Sequence, residues 1–311
     1  MLQTTKVQVL SLLVTVGFLT CWLFRNKSLS TFINPHGQHN QQARILILTP
    51  FKQSAHLIDQ YFENIEKLAY PRHLISLGFI VSDSPDGTLE KLQDRAASSK
   101  KESLNRITII QKDFDFKMSS DENRHQFDVQ VQRRAIMAKS RNTLLSSALE
   151  KEDDYVLWLD GDVVEYPKSL LTDLIRLDKD VIAPNCWWHS YNEEGGYDKN
   201  NWQETKASLE LQKTLAPDQV LVEGYDDVLK THRKLMVNMR HEENQDDFHL
   251  VPLDAVGGTC TFVKAQVHRE GAIFPPFPFQ HQVETEGFAK MAKALGYSVW
   301  GLPNYLVYHY I

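Results

Sequence analysis

Runs of apolar residues divide this chain at regular intervals, and their spacing predicts its elements before any chemistry is considered. Residues 7–24, VQVLSLLVTVGFLTCWLF, carry no charge and are bounded by Lys6 on one side and by Arg25 and Lys27 on the other. A helix of that length extends about 27 Å, close to the roughly 30 Å of a bilayer's hydrocarbon core. The run exceeds the apolar region of a cleaved leader and no A-x-A site follows it. It reads as an uncleaved signal anchor behind a short cytoplasmic tail, residues 1–6. Residues 25–43 then turn to Asn, Gln, Ser, His, Pro and Gly, a stem too polar to pack a core.

From Arg44 the period changes. RILILTP (44–50), HLISLGFIVSD (73–83) and RITIIQ (106–111) are short, β-branched runs of the kind that form buried strands. Between the first two, Leu57, Ile58, Tyr61, Phe62, Ile65 and Leu68 recur at the three-four spacing of an amphipathic helix, and a second helix is predicted over 88–101. Strands alternating with helices predict an α/β domain, residues 44–311, with parallel strands and right-handed crossovers. A charged loop (112–128), a long helix (129–150) and the strand Tyr155–Leu159 follow. Beyond it come a helix from Pro167 through Leu177 and a strand at 180–185. A polar, mostly helical stretch is predicted over 203–249, with Leu221, Val222, Tyr225, Val228 and Leu229 on one face. Two short strands meeting at Gly257 and Gly258, a helix opened by Glu284 and Glu286, and a terminal strand carrying His309 complete the pattern.

Composition changes this picture little. With 311 residues, 42% hydrophobic and 24% charged, the chain has the material for a sizeable core. A net charge of −6 without a long Lys/Arg run argues against nucleic acid as a partner. The cysteines Cys21, Cys186 and Cys260 show no metal-ligand spacing, and only Cys186 with Cys260 could share a compartment as a disulfide. Walker, G-x-G-x-x-G and G-x-S-x-G motifs are missing from the sequence, which disfavours kinase, dehydrogenase and α/β-hydrolase chemistry.

The candidate chemistry centres on Asp160-Gly161-Asp162, which directly follows a buried strand. Open α/β sheets bind ligands at that edge. Two hard oxygen donors suit Mg²⁺ or Mn²⁺ with positions left for phosphate oxygens, although two acids in an exposed turn need no function. Bases of the long helix, Arg133, Arg134, Lys139 and Arg141, read mostly as its wet face. The stretch CWWHSYNEEGGYDKNNW suits either a stacking loop or, at Trp187 and Trp188, closure of the core. Glu284 and Glu286 are favoured by the helix dipole alone, yet a carboxylate behind a proline-stiffened turn is also a plausible acid–base group.

The strings RILILTPFK, AKSRNTLL, WLDGDVVEYP, DVIAPNCWW, VEGYDDVL, VGGTCTFVKAQVHREGAIFPPFPF, ETEGFAKMAKALGY and GLPNYLVYHY follow one another in order. Together they resemble the fungal α-1,6-mannosyltransferase family of the mannan polymerase complexes, glycosyltransferase family 62. The resemblance implies a GT-A fold, a Rossmann-like mixed sheet flanked by helices, behind the signal anchor. It implies transfer of mannose from GDP-mannose, with Mn²⁺ or in its place Mg²⁺, to an α-1,6-linked mannan backbone of N-glycans, with retention of configuration. The enzyme would be a type II protein of the Golgi membrane with its catalytic domain in the lumen, assembled with related mannosyltransferase subunits. A non-catalytic structural subunit of such a complex is the competing function. By position, Asp160, Asp162 and His309 would hold the metal, Arg141 would face the phosphates, and Gly161 would lie against the nucleotide sugar. Thr49, Pro50 and Asp83 would form the nucleoside edge, and Glu284 and Glu286 would meet the acceptor.

Overall fold

The computed structural model describes residues 43–99, 103–115, 127–189, 195–241 and 246–310. The expected tail, anchor and all but the last residue of the stem lie outside the described residues. Among the described residues no helix is long and apolar enough to cross a membrane.

Strand β1 (Ile45–Phe51) leads into helix α1 (Ile58–Glu66), strand β2 (Ile75–Val81), helix α2 (Thr88–Ser99), strand β3 (Arg106–Gln111) and the long helix α3 (Phe127–Ala148). Strand β4 (Tyr155–Leu159) is followed by β5 (Val163–Glu165), α4 (Leu170–Leu177), β6 (Val181–Trp188), β7 (Trp202–Gln203), α5 (Lys206–Gln212) and β8 (Lys234–Leu235). The chain ends with β9 (Val251–Pro252), β10 (Cys260–Lys264), α6 (Ala265–Arg269), α7 (Glu284–Ala294) and β11 (Val299–His309). The main sheet runs β3-β2-β1-β4-β10-β6-β11-β5, with β9 on β11. Neighbours from β3 to β4 are parallel, β10 is antiparallel to both β4 and β6, and β11 is parallel to β6. The sheet is therefore mixed, as the resemblance implied.

Alternation along the strands explains why their sequences read as continuous apolar runs. Ile45, Ile47 and Phe51 of β1 face one core with Ile58, Tyr61 and Phe62 of α1 and Leu170, Leu171 and Leu174 of α4. Leu46 and Leu48 face the other, with Leu144, Leu145 and Ala148 of α3 and Phe288, Ala289 and Ala292 of α7. Helices cover both faces, so neither face of a strand can be polar. Gly78 of β2 is set by this packing, since a Cβ there would stand 2.6 Å from Leu48 and 3.0 Å from Ala148.

Four readings change with the structure. The stretch 203–249 is not mostly helical: apart from α5 and a short 3-10 turn at Met236–Asn238 its described residues form no helix. Val220 and Val222 pack with Val283, Phe127, Val131 and Tyr225 in a small separate cluster, while Val228 is 59% exposed. Buried ion pairs order this segment in place of helical hydrogen bonding, notably Arg233 on Glu223 at 2.6 Å. Trp187 and Trp188 belong to β6 rather than to a loop, because that strand continues alongside β11. The two strands flanking Gly257 and Gly258 do not pair with each other, since β9 joins β11 while β10 enters between β4 and β6. Cys186 and Cys260 are free, buried thiols, so the disulfide does not form.

Trp158 of β4 is buried, and its indole N–H donates to His268 Nε2 at 3.0 Å. His268 Nδ1 donates to the Ala272 carbonyl at 2.8 Å. The ring is thus satisfied while neutral, and burial pushes its pKa down to about 4. Below the ordinary value of 6.5 the unfolded chain takes up a proton that the fold refuses. Stability from this site is complete above 6.5 and is lost as pH falls toward 4. Denaturant unfolding of the wild type should show a pH slope of up to about 1.4 kcal/mol per unit from this group in that window, and His268→Gln should remove that component.

Candidate functional site

The site grows out of the end of β4. Val163 N–H donates to the Asp160 carbonyl at 3.1 Å, closing the turn that sends the chain into β5. Strand β5 pairs with β11, setting Val163 opposite His309, and Tyr310 N–H donates to the Asp162 carbonyl at 2.7 Å. That short pairing carries the last residues of the chain to the acidic turn. Gly161 is required between the acids by packing: a Cβ there would lie 2.1 Å from the Phe51 ring.

The two carboxylates leave the turn toward different partners. Asp160 Oδ1 accepts from Arg141 Nη2 at 2.9 Å, and Glu284 Oε1 accepts from Arg141 Nε at 3.1 Å. Arg141 is 1% exposed, lies over Trp158 and Phe274, and keeps Nη1 buried without a partner. Gly258 completes this cradle, since a Cβ there would come within 2.5 Å of Nη2. Burial pushes Asp160 up to about 6 in spite of Arg141, with Asp162 adding to the rise.

Asp162 turns to His309, whose Nε2 stands 3.0 Å from Oδ2. The histidine's Nδ1 meets the Tyr310 carbonyl, which can only accept, so Nδ1 carries the hydrogen. When the ring is neutral, Nε2 is then a lone pair set against a carboxylate. Two acceptors at that distance call for a proton or a cation between them. Burial disfavours the charged ring, yet Asp162 outweighs it and the His309 pKa is raised. A nitrogen lone pair beside one carboxylate, with a second carboxylate two residues away, is a donor set that Mn²⁺ accepts. The three do not close into a metal cluster in the described residues, because Arg141 holds Asp160 on the α3 side.

The other expected residues divide. Pro50 and Asp83 lie at the ends of β1 and β2, on the same sheet edge. Asp83 has φ +46°, its N–H donates to Asp113 at 2.6 Å and Lys52 Nζ stands 3.9 Å from its carboxylate. Thr49 is fully buried, its hydroxyl donating to the Leu159 carbonyl at 2.7 Å and meeting Tyr61, so it clasps β1 to β4 and presents nothing to a ligand. Glu284 and Glu286 are likewise buried rather than facing an acceptor. Glu284 holds Arg141, and its backbone is left-handed at φ +53°, a strain costing about 1–3 kcal/mol that surrounding contacts must offset. Glu286 pairs with Arg134 and accepts from Trp202 Nε1 at 2.9 Å, and burial raises its pKa against the pull of Arg134.

Local pattern did not foretell Arg134 as a buried base, since it stands among the polar positions of α3. Nor did it foretell the segment 195–202, where Tyr197 stacks on His309, Asp198 accepts from Thr259 at 2.8 Å and Asn200 accepts from Arg134 at 3.1 Å. The density of rings around Tyr197 and Trp202 was its only outward signal. Trp188 stands edge-on to His309 and walls this part of the site.

Comparison with known proteins adds lineage to this geometry. The Anp1 family profile matches residues 24–278. The mannan polymerase complex subunit MNN9 of Candida albicans is 43% identical over 283 residues, covering 87% of this chain and 76% of its own. The mnn9 subunit of Schizosaccharomyces pombe is 43% identical over 273 residues, covering 86% and 80%. The mannan polymerase I complex VAN1 subunit of Saccharomyces cerevisiae is 33% identical over 331 residues, covering 88% and 61%. A solved mannosyltransferase from Pyrobaculum calidifontis, in complex with GDP-Man and Mn²⁺, shares the fold with a TM-score of 0.50 at 14% identity, over 96% of this chain and 66% of that one.

Breaking a buried ion pair leaves an uncompensated charge. Glu286→Ala should therefore destabilise the fold by about 3–5 kcal/mol in urea unfolding, and a loss under about 1 kcal/mol would refute a structural role for the pair with Arg134.

Proposed function

Because the chain belongs to the Anp1 family, whose relatives above are named as subunits of mannan polymerase complexes, we propose that it is a mannosyltransferase of the Golgi lumen. It transfers mannose from GDP-mannose, with Mn²⁺, to an α-1,6-linked mannan backbone of N-glycans. An N-terminal anchor holds it in the Golgi membrane as a type II protein, in a hetero-oligomer with related subunits. The observation that carries this reading is the meeting of a lone-pair nitrogen, two carboxylates and a buried arginine at the end of β4.

Asp160, Asp162 and His309 are the residues that would hold the cation. Bound there, it would neutralise charge gathering on the diphosphate of the departing GDP. Arg141 contributes from behind the acidic turn, where its buried guanidinium fixes Asp160 and lends positive charge to that side of the site. Pro50 and Asp83 bound the nucleoside, while Thr49 supports that edge from behind. With Glu284 and Glu286 engaged by Arg141 and Arg134, neither is free as a nucleophile on the sugar's β face. Retention from an α-linked donor is then best served by front-side displacement within an ion pair.

The relatives' standing as complex subunits also supports a second reading, in which this chain organises a catalytic partner. The two part experimentally. The purified chain incubated with GDP-mannose, Mn²⁺ and an α-mannobiose acceptor should yield an α-1,6-extended product. Asp162→Ala should lower turnover about 100-fold or more, without unfolding the protein. An inactive chain whose Asp162→Ala form supports full activity in the assembled complex would establish the organising role instead.

A further inference from the structure

The acidic turn is closed by its own backbone, and it meets the ring of His309 at one corner only, where Asp162 faces Nε2. The hydrogen bond from Nδ1 runs to the adjoining residue's carbonyl, so it sets the tautomer and leaves the ring plane weakly determined. What sets the plane is Tyr197. The two rings lie with centroids 3.6 Å apart and planes 22° from parallel, and Trp188 stands edge-on to both, 4.6 Å from Tyr197 and 5.5 Å from His309. The imidazole is therefore packed on a face and against an edge, with only Nε2 left toward Asp162.

Tyr197 is itself held by the sheet. Its N–H donates to the Cys186 carbonyl at 2.8 Å, and Gly196 before it bridges to Trp187. Gly196 lies so close to Val237 that a Cβ there would be 2.2 Å from it. After it, Asp198 accepts from the Thr259 hydroxyl and Asn201 accepts from Gly257 N–H at 3.0 Å. Residues 196–201 thus rest on β6 at one end and on the Gly257–Thr259 turn, beside Asp160, at the other: Asp160 N–H donates to the Thr259 carbonyl at 3.0 Å. One short segment touches both halves of the site, and Tyr197 is its contact with His309.

We propose that Tyr197 is a positioning residue for cation binding: its ring fixes the His309 imidazole so that the Nε2 lone pair stays aimed beside Asp162. This role rests on the reading of the site as a divalent-cation centre. It is the ring face that acts, so phenylalanine should serve as well as tyrosine, whereas loss of the ring should free the imidazole to rotate away. Groups that orient a metal-binding histidine typically change metal affinity by about 10- to 100-fold.

The test is a titration of the full chain, purified in detergent, with Mn²⁺ followed by the paramagnetic resonance of the free ion. GDP binding without metal and the thermal midpoint are measured alongside. Tyr197→Ala should weaken Mn²⁺ binding about 10-fold or more, Tyr197→Phe should stay within about 2-fold of wild type, and metal-free GDP affinity should be unchanged in both. A Tyr197→Ala protein that binds Mn²⁺ like wild type overturns the role of Tyr197 alone, as does a Tyr197→Phe protein as impaired as Tyr197→Ala. A wild type that binds no Mn²⁺ overturns the cation reading, and the positioning role with it. A parallel loss of metal-free GDP affinity and thermal stability in Tyr197→Ala would mark the ring as general packing and overturn the proposal.

Discussion

A guanidinium with 1% of its surface exposed has lost nearly all its hydration, and it stays in a fold only where carboxylates replace that water. Arg141 meets this constraint by drawing in Asp160 from the turn after β4 and Glu284 from the start of α7. Both carboxylates outweigh burial and hold the arginine charged. Three elements distant in sequence are thereby fixed at one point. The demand reaches the backbone as well: Glu284 is held left-handed, and position 258 must lack a side chain. Strain and a close approach of this kind collect where a site must be held ready for a ligand.

Across the turn the same logic operates with opposite sign. There the buried group is an imidazole whose Nε2 faces Asp162 and whose pKa that carboxylate raises, so the local field asks for positive charge instead of supplying it. The site is therefore polarised, with the fixed charge of Arg141 on the α3 side and the His309–Asp162 pair on the β11 side. Asp160 stands between them with its pKa pushed up to about 6, a carboxylate poised to be shared. A diphosphate has negative oxygens enough for both sides, and an arginine and a metal ion are the usual clamps on such groups.

Behind this arrangement a second buried network keeps an irregular stretch in place. Trp202 lies under Arg233 at 3.6 Å and donates to Glu286, which pairs with Arg134. Arg233 binds Glu223, and Glu204 binds Lys290 of α7 at 2.8 Å. Each charge is paired, which such burial demands, and the pairs join residues 202–233 to α3 and α7 where little regular secondary structure does so. Glu284 and Glu286, two residues apart on one helix, serve these two networks separately.

The strands at 45–51, 75–81 and 155–159 were legible because burial on both faces leaves a continuous apolar run, a local property of sequence, and the half-buried edge strand at 106–111 by its β-branched run. So was the acidic triplet at a strand end, which is where an α/β sheet opens to ligands. Helical propensity misled over 203–249, where order comes from ion pairs between residues far apart in the chain. The fate of each acid and base was equally out of reach. Asp160 and Asp162 look equivalent in sequence, as do Glu284 and Glu286, yet each member of a pair points to a different neighbour, and of Arg133 and Arg134 it is Arg134 that is buried against Glu286. Which neighbour it meets depends on how β5 folds back onto β11 and how α3 crosses α7. Sequence alone determined the layers and the edge at which chemistry gathers. Only tertiary structure decided which charges are buried against one another and which face the ligand, because charge pairing is settled by distances between elements that no local pattern encodes.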